Sequence, residues 1–418
     1  MILRISVESE GNMIIMIKFI IILLVILGNA YAVFLKVQRY RSANNPIPAN
    51  VADLYDAETY QRWKNYSAEH CKLEIGFSAA SFLVTMVLLL TNAHAAFATL
   101  FPASHTFAVI LLIVIVDAVL DIPKSYIKTM IIEEKYGFNR STMKTFAKDM
   151  ISRVVANLML TGGIVILMRE LHQLTGDYLF LFFAVAIFIV SLLIVFLAPV
   201  FARRNNKFTP LADGELKDKL MALLSRNGYR VKAIEVMNAS RRTTKSNAYF
   251  TGFGKMKRIV LYDTLLENMT TDEICAIFAH EMGHGLHKDI LKRQFLNIGN
   301  FLILSLAVWI TVKFPTFCTA FGFSGLNYGF VFLIVGIWLD VLQPLTNLVL
   351  FANTRADEYR ADKQAVVEGY VEAMISALKK LAKDNFAHLA PSKINVILEY
   401  THPPVSERIA NIEKNLSK

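Results

Sequence analysis

The sequence predicts a mainly α-helical membrane protein that carries a small α+β unit on one side of the bilayer. Three observations predict this. The 418-residue chain is 55% hydrophobic with a mean hydropathy of +0.43, too apolar for a soluble protein of its size. The apolar residues gather into segments near the ~20 residues that span a hydrocarbon core. The charged residues, 19% of the total, concentrate between those segments.

There are seven such segments: Ile14–Leu35, Ile75–Leu100, Thr106–Ile122, Val154–Met168, Tyr178–Phe201, Leu296–Val312 and Tyr328–Ala352. The fourth is the shortest. The first has a second reading, because Lys18, an apolar run and Ala30-Tyr31-Ala32 resemble a cleavable secretory signal. Apolar character continues past that site through Val33-Phe34-Leu35, which favours an uncleaved helix. Four regions follow: 1–201, a membrane region of about five helices; 202–295, a soluble α+β unit; 296–352, a transmembrane pair; and 353–418, a helical tail.

The net charge of +10 falls on loops that flank apolar segments. Anionic headgroups answer that placement better than nucleic acid does, so the bilayer is an expected partner and nucleic acid is not. Lys36, Arg39, Arg41, Arg62, Lys64 and Lys72 follow segment one, and seven further basic residues from Lys124 to Arg153 follow segment three. The alternate loops hold almost none. By the positive-inside rule the N-terminus is outside, and residues 202–295 and the C-terminus are cytosolic. Cys71, Cys275 and Cys318 are far apart with no paired spacing, which predicts free thiols. Asp117, Asp121, Asp340, Gln343 and Asn347 sit within apolar segments. They are either hydrogen-bonded groups near helix ends or the lining of a wet cavity.

Residues 202–295 hold the chemistry. Gly214 to Ser225 has helical periodicity with Gly228 as a stop, and Val231–Met237, Arg258–Tyr262 and the shorter Asn247-Ala248-Tyr249-Phe250 read as strands. Next comes His280-Glu281-Met282-Gly283-His284, within a helix that Thr270 and Glu273 cap and that Ile274, Ile277 and Phe278 make apolar on one side. Residues four apart share a helix face, so His280 and His284 can present two imidazoles to one Zn²⁺. Glu281 beside them is the candidate base that activates a water. A strand just ahead of such a helix, Asn247 to Phe250, is a candidate edge for a substrate backbone.

A catalytic zinc needs a third protein ligand. Segment seven runs without a breaker into Asn353-Thr354-Arg355-Ala356-Asp357-Glu358-Tyr359-Arg360-Ala361-Asp362. The histidine helix is expected to run likewise into segment six. Segments six and seven then form a hairpin whose cytosolic ends meet, bringing Glu358 to the histidines as third ligand. Asp362, one turn on, can accept the second N–H of a ligating imidazole. In the tail, His402-Pro403-Pro404 and Glu407-Arg408 offer an oxyanion donor, or only a turn before the last helix.

Taken together these residues resemble the type I CAAX prenyl proteases, integral-membrane zinc metalloproteases. Asn45-Pro46-Ile47-Pro48, Glu134 to Thr142, Asn247 to Phe250, Lys257 to Leu266, His280 to His284, Glu358 to Asp362, His402 to Pro404 and Glu407-Arg408 carry the likeness. It implies tilted helices enclosing a large chamber capped by the protease unit. It implies zinc on His280, His284 and Glu358, Glu281 as base, Asn247, Ala248, Tyr249 and Phe250 along the substrate, and His402 and Arg408 near the scissile carbonyl. The implied partner is a protein ending in a prenylated cysteine plus three residues, which leave as a tripeptide. Thr354 stands where serine is usual, Gly285 where a bulky residue is common, and the tail is short, as in a bacterial or compact member. The membrane is then a bacterial inner membrane, or the endoplasmic reticulum in a eukaryote. Two other readings fit parts of the pattern: a membrane quality-control protease acting on unprenylated or misfolded proteins, and a seven-helix transporter or receptor with structural zinc.

Overall fold

The computed structural model describes residues 2–251 and 257–416. Chain order is α1 (Ile2–Ser42), α2 (Ala57–Leu90), α3 (Ala93–Thr99), α4 (His105–Tyr126), α5 (Met143–Thr175) and α6 (Leu179–Asn205). Next come β1 (Phe208–Pro210), α7 (Glu215–Arg226), β2 (Ala233–Met237), β3 (Ala248–Thr251), β4 (Arg258–Tyr262) and α8 (Asp263–Asn268). The chain then forms α9 (Thr271–Leu286), α10 (Asp289–Leu296), α11 (Ile298–Lys313), α12 (Thr316–Thr319), α13 (Tyr328–Val367), α14 (Val371–Asp384), α15 (Lys393–Glu399) and α16 (Val405–Leu416).

Among the described residues, six helical stretches are long and apolar enough to cross a membrane. One of them, Met143–Arg204, holds both α5 and α6, joined by a single turn at Gly176. Each of the seven expected segments therefore falls mostly in helix, and α1 runs unbroken through Ala30-Tyr31-Ala32. Segment two does not extend to Leu100. Helix α2 ends at Leu90 and Asn92 takes a left-handed φ of 56°, a conformation asparagine tolerates, before α3 resumes. Its side chain accepts a hydrogen bond from Lys18 Nζ on α1 at 2.9 Å.

The bundle core packs Ile21, Leu89, Val109, Ile110, Phe183, Phe321 and Phe330, each with essentially no exposed surface. The polar membrane residues line cavities. One of about 410 Å³ has Asp117, Asp121, Arg153 and Asn157 on its wall. A second of about 510 Å³ has Lys36, Asp340, Gln343 and Asn347. Both touch Ser78 and Ser81, so they adjoin.

The sheet has the order β1-β2-β4-β3, with β2 and β4 parallel and the outer pairs antiparallel. Strand β1 went unexpected because three residues ending in proline carry no alternating pattern. The sheet buries Ile259 and Leu261 against Phe278 and Met282 of α9 and against Leu220 and Leu223 of α7. Gly228, with φ 58°, turns the chain out of α7 as expected. A third core joins α9 to α14 and α16 through Ala276, Ala279, Met374, Leu378, Ile409 and Ile412. Helix α9 is thus packed on every side.

Candidate metallopeptidase centre

Helix α9 begins on a complete capping box. Thr270 Oγ1 accepts the Glu273 N–H, and the Glu273 carboxylate accepts the Thr270 N–H at 2.8 Å. That fixes the helix phase, and His280 and His284 share the face turned toward α13. Helix α13 runs 40 residues without a break, through Pro344, and delivers Glu358 to the same point. The two helices approach closely because of what they lack. A Cβ built on Gly283 would stand 3.1 Å from the Ala361 backbone, so small residues at both positions let them meet. Gly285 has a comparable reason: a side chain there would strike the ring of Tyr229, 2.6 Å from Cζ. The room that a bulkier residue would fill after the second histidine is taken by that tyrosine.

The expected convergence is present. Atoms of His280, His284 and Glu358 able to ligate lie within 4.8 Å of one another, all buried. His280 Nε2 is 3.5 Å from Glu358 Oε2, and His284 Nε2 is 3.4 Å from Glu358 Oε1. The outer nitrogens are occupied: His280 Nδ1 meets Asp362 Oδ1 at 2.9 Å, and His284 Nδ1 meets Asp289 Oδ2 at 2.9 Å. Each carboxylate can accept the Nδ1 proton and so turns Nε2 inward toward a common point, where a bound metal ion would replace any proton on it. Buried Glu358 Oε2 makes no hydrogen bond. Two inward-facing imidazole nitrogens and a buried carboxylate oxygen fit a divalent metal.

The electrostatics agree. Burial opposes charging His280, but the Asp362 and Glu358 carboxylates outweigh it and raise its pKa above the ordinary histidine value. For His284, burial is likewise outweighed by Asp289 and Glu358, and its pKa rises to about 9. The cradle carries excess negative charge and favours a cation. Burial pushes the Glu281 carboxyl up from its usual range, which the two imidazoles partly offset. A raised carboxyl is a better proton acceptor than an ordinary one.

Glu281 also touches the sheet. Its Oε2 accepts the Phe250 N–H at 3.1 Å. Among the described residues strand β3 pairs only with β4, and the Tyr262 N–H donates to the Asn247 carbonyl at 3.1 Å. With that register, Asn247 and Tyr249 direct their backbone groups to β4, while Ala248 and Phe250 direct theirs outward into the site. A cavity of about 420 Å³ is bounded by this edge, by His280, Glu281, His284 and Glu358, and by His402 and Arg408.

His402 Nε2 lies 3.3 Å from Glu358 Oε1 with its side chain 63% exposed, at the cavity mouth. Arg408 is held by Asp362 through two hydrogen bonds, 2.9 and 2.6 Å, with Nη1 3.7 Å from Glu358 Oε2. The candidate ligands, base, edge residues, Asp362, His402 and Arg408 therefore lie in one place. The expected path of the chain does not hold: α9 does not run on into segment six. Lys288 takes a left-handed φ of 57° and starts a new helix, α10. That break brings Asp289, absent from the sequence-based site, to His284. Arg360 Nη2 binds Asp289 at 2.7 Å and Asp357 at 2.6 Å, and Lys292 joins Asp357 at 2.8 Å.

The chain is similar to known proteins. CAAX prenyl protease 1 of Saccharomyces cerevisiae is 31% identical over 411 residues, which span 90% of each chain. The chain belongs to the CAAX prenyl protease 1 family. The model of peptidase family M48 matches residues 210–416, and that of the CAAX prenyl protease N-terminal, five membrane helices, matches 36–203. The homolog from Oryza sativa is 28% identical, with 94% of this chain and 96% of that one covered. The crystal structure of S. mikatae Ste24p superposes with a TM-score of 0.88 at 26% identity, covering 95% of this chain and 99% of that one. The protein is thus a multi-pass membrane metallopeptidase, and the transporter or receptor reading falls away.

Proposed function

We propose that this family member is a zinc endopeptidase that removes the last three residues from proteins ending in a prenylated cysteine. One observation carries the proposal: two Nε2 atoms and a buried carboxylate converge beside Glu281 and an open strand edge. The names of the relatives, CAAX prenyl protease 1, supply the substrate class. His280, His284 and Glu358 would hold the ion, with Asp362 orienting His280 and Asp289 orienting His284. Bound zinc supplies Lewis acidity and lowers the pKa of water to about 7.

The chain's own residues do the rest. The substrate backbone adds to the outward groups of Ala248 and Phe250, and Asn247 and Tyr249 hold that edge in register. Glu281 accepts the proton of the attacking water and returns it to the leaving amine. His402, exposed at the mouth, donates to the developing oxyanion, and Arg408, anchored by Asp362, adds positive charge from behind. The protease face and the C-terminus are cytosolic, supported by the basic loops after segments one and three. The membrane is that of the endoplasmic reticulum in a eukaryotic host and the inner membrane in a bacterium.

Purified protein in detergent, given a farnesylated C-terminal peptide and its unmodified twin, tests the reading. Release of a tripeptide from the farnesylated peptide, abolished by chelation and restored by zinc, is expected. Equal cleavage of both peptides, or internal cleavage of unfolded proteins, favours the quality-control alternative.

A further inference from the structure

The segment Glu134 to Thr142, which follows the membrane helix α4, has no part in the reaction described above. The structure gives it a task. Helix α4 continues as a π-helical stretch, Ile127–Glu133, and residues 137–140 then run beside residues 242–244. Asn139 bridges Thr243 in antiparallel fashion, the Arg140 N–H donates to the Arg242 carbonyl at 3.0 Å, and the Thr244 N–H donates to the Phe138 carbonyl at 3.2 Å. Residues 242–244 lead directly into the edge strand β3. A loop of the membrane bundle thus clamps the lead-in to the substrate edge.

A half-buried polar group locks the clamp. Lys245 Nζ lies 3.0 Å from Glu133 Oε2 and 3.0 Å from the Tyr66 hydroxyl. Tyr66 donates to Glu133 Oε1 at 2.6 Å, and His70 Nε2 lies 3.3 Å from the same oxygen. The lysine also sits 4.7 Å over the Phe138 ring. Side-chain exposure is 14% for Glu133 and 29% for Lys245. An ion pair in such a place adds little stability, because desolvation offsets its attraction, but it sets one geometry. The geometry it sets is that of the chain five residues before Phe250, whose N–H meets the Glu281 carboxylate.

We infer that Glu133, Tyr66 and Lys245 are positioning residues, a strut by which the membrane bundle fixes the substrate-binding edge over Glu281. This rests on the reading of β3 as the substrate edge. The strut acts through backbone position, so its loss weakens substrate binding more than the chemical step, and leaves the metal cradle alone.

Steady-state kinetics of full-length Lys245→Met, Glu133→Gln and the double variant, in detergent and loaded with zinc, test the inference. Expected are one zinc per chain, an unchanged melting temperature, a KM raised about tenfold with kcat within about twofold, and a double variant no worse than either single. A KM equal to that of the parent in folded Lys245→Met overturns the strut, as does zinc loss. Failure of both neutral single variants to fold assigns the pair to stability and overturns it as well. Ala248→Pro separates this from the edge reading, since it removes an outward N–H whose partner is the Asn247 side-chain carbonyl, not a neighbouring strand, and which an edge strand can lose without unfolding. A raised KM in Ala248→Pro beside a normal KM in Lys245→Met sinks the strut alone. A normal KM in Ala248→Pro sinks the edge reading itself.

Discussion

The metal cradle and the intramembrane cavities are both lined with carboxylates, and they hold them in opposite ways. In the cradle Asp289, Asp357 and Asp362 have no exposed surface and Glu358 has 1%, and each acid meets a named histidine, arginine or lysine. In the cavities Asp117 and Asp340 are exposed to the open space, and Asp121 meets Arg153 with its side chain 44% exposed. The acids of the cradle are shut off from solvent and paired, which makes it the dry region. The cavities are large enough to admit water, which makes them the wet region. Low dielectric makes each contact in the first region count and high dielectric makes each in the second cheap, so substitutions should separate the two.

The largest separation is expected at Glu281. Glu281→Gln keeps shape and burial but removes the base, and kcat should fall by about 10²–10⁴-fold with zinc content unchanged. Metal analysis beside peptide cleavage checks this. An active variant would show that the proton goes elsewhere, and the cradle would then be a structural metal site.

Next comes Asp289, whose only evident task is to hold His284 Nδ1 and the Arg360 guanidinium. Asp289→Ala should weaken zinc affinity by about 10–100-fold, measured by competition with a chelator. Unchanged affinity would mean that the lattice extends no further than Asp362.

These two residues also mark how far the sequence could be read. Glu281 was legible because helical spacing alone binds it to His280 and His284. Glu358 and Asp362 were legible because an apolar segment with no breaker must continue as helix, and four residues is one turn. Asp289 was not, because its position depends on the left-handed turn at Lys288, and a lysine gives no local signal for positive φ. The lysine of the strut was equally silent: Lys245 meets Glu133 across a gap of 112 residues that no period spans. Membrane segments were readable as apolar runs, but the stop at Asn92 was hidden inside one. What periodicity encodes within an element was visible, and what a turn or a long-range pairing encodes was not.

A third test concerns the packing that keeps the cradle dry. Gly285→Ala drives a methyl into the Tyr229 ring and should lower stability by about 1–3 kcal/mol, read as a drop in melting temperature. Tyr229→Leu should restore most of it in the double variant. If the double variant melts no higher than Gly285→Ala alone, the tyrosine is not what excludes a larger residue.

The smallest effect is expected at Asp340. Its carboxylate lines a cavity with Lys36, Gln343 and Asn347, and its Cβ would be 3.2 Å from a Cβ on Gly28, so α1 and α13 nearly touch there. Asp340→Asn preserves that contact and removes only the charge of a carboxylate on a cavity wall. Stability and kcat on a short soluble peptide should change by no more than about twofold, the range typical of solvated positions. Asp362→Asn, the same chemical change in the dry lattice, removes the charge that pairs Arg408 and holds His280 Nδ1, and should cost zinc affinity as Asp289→Ala does. Matched losses from the two asparagine variants, measured side by side, would mean that the cavity charges are as tightly held as those of the cradle, and that the contrast between a dry and a wet region is false.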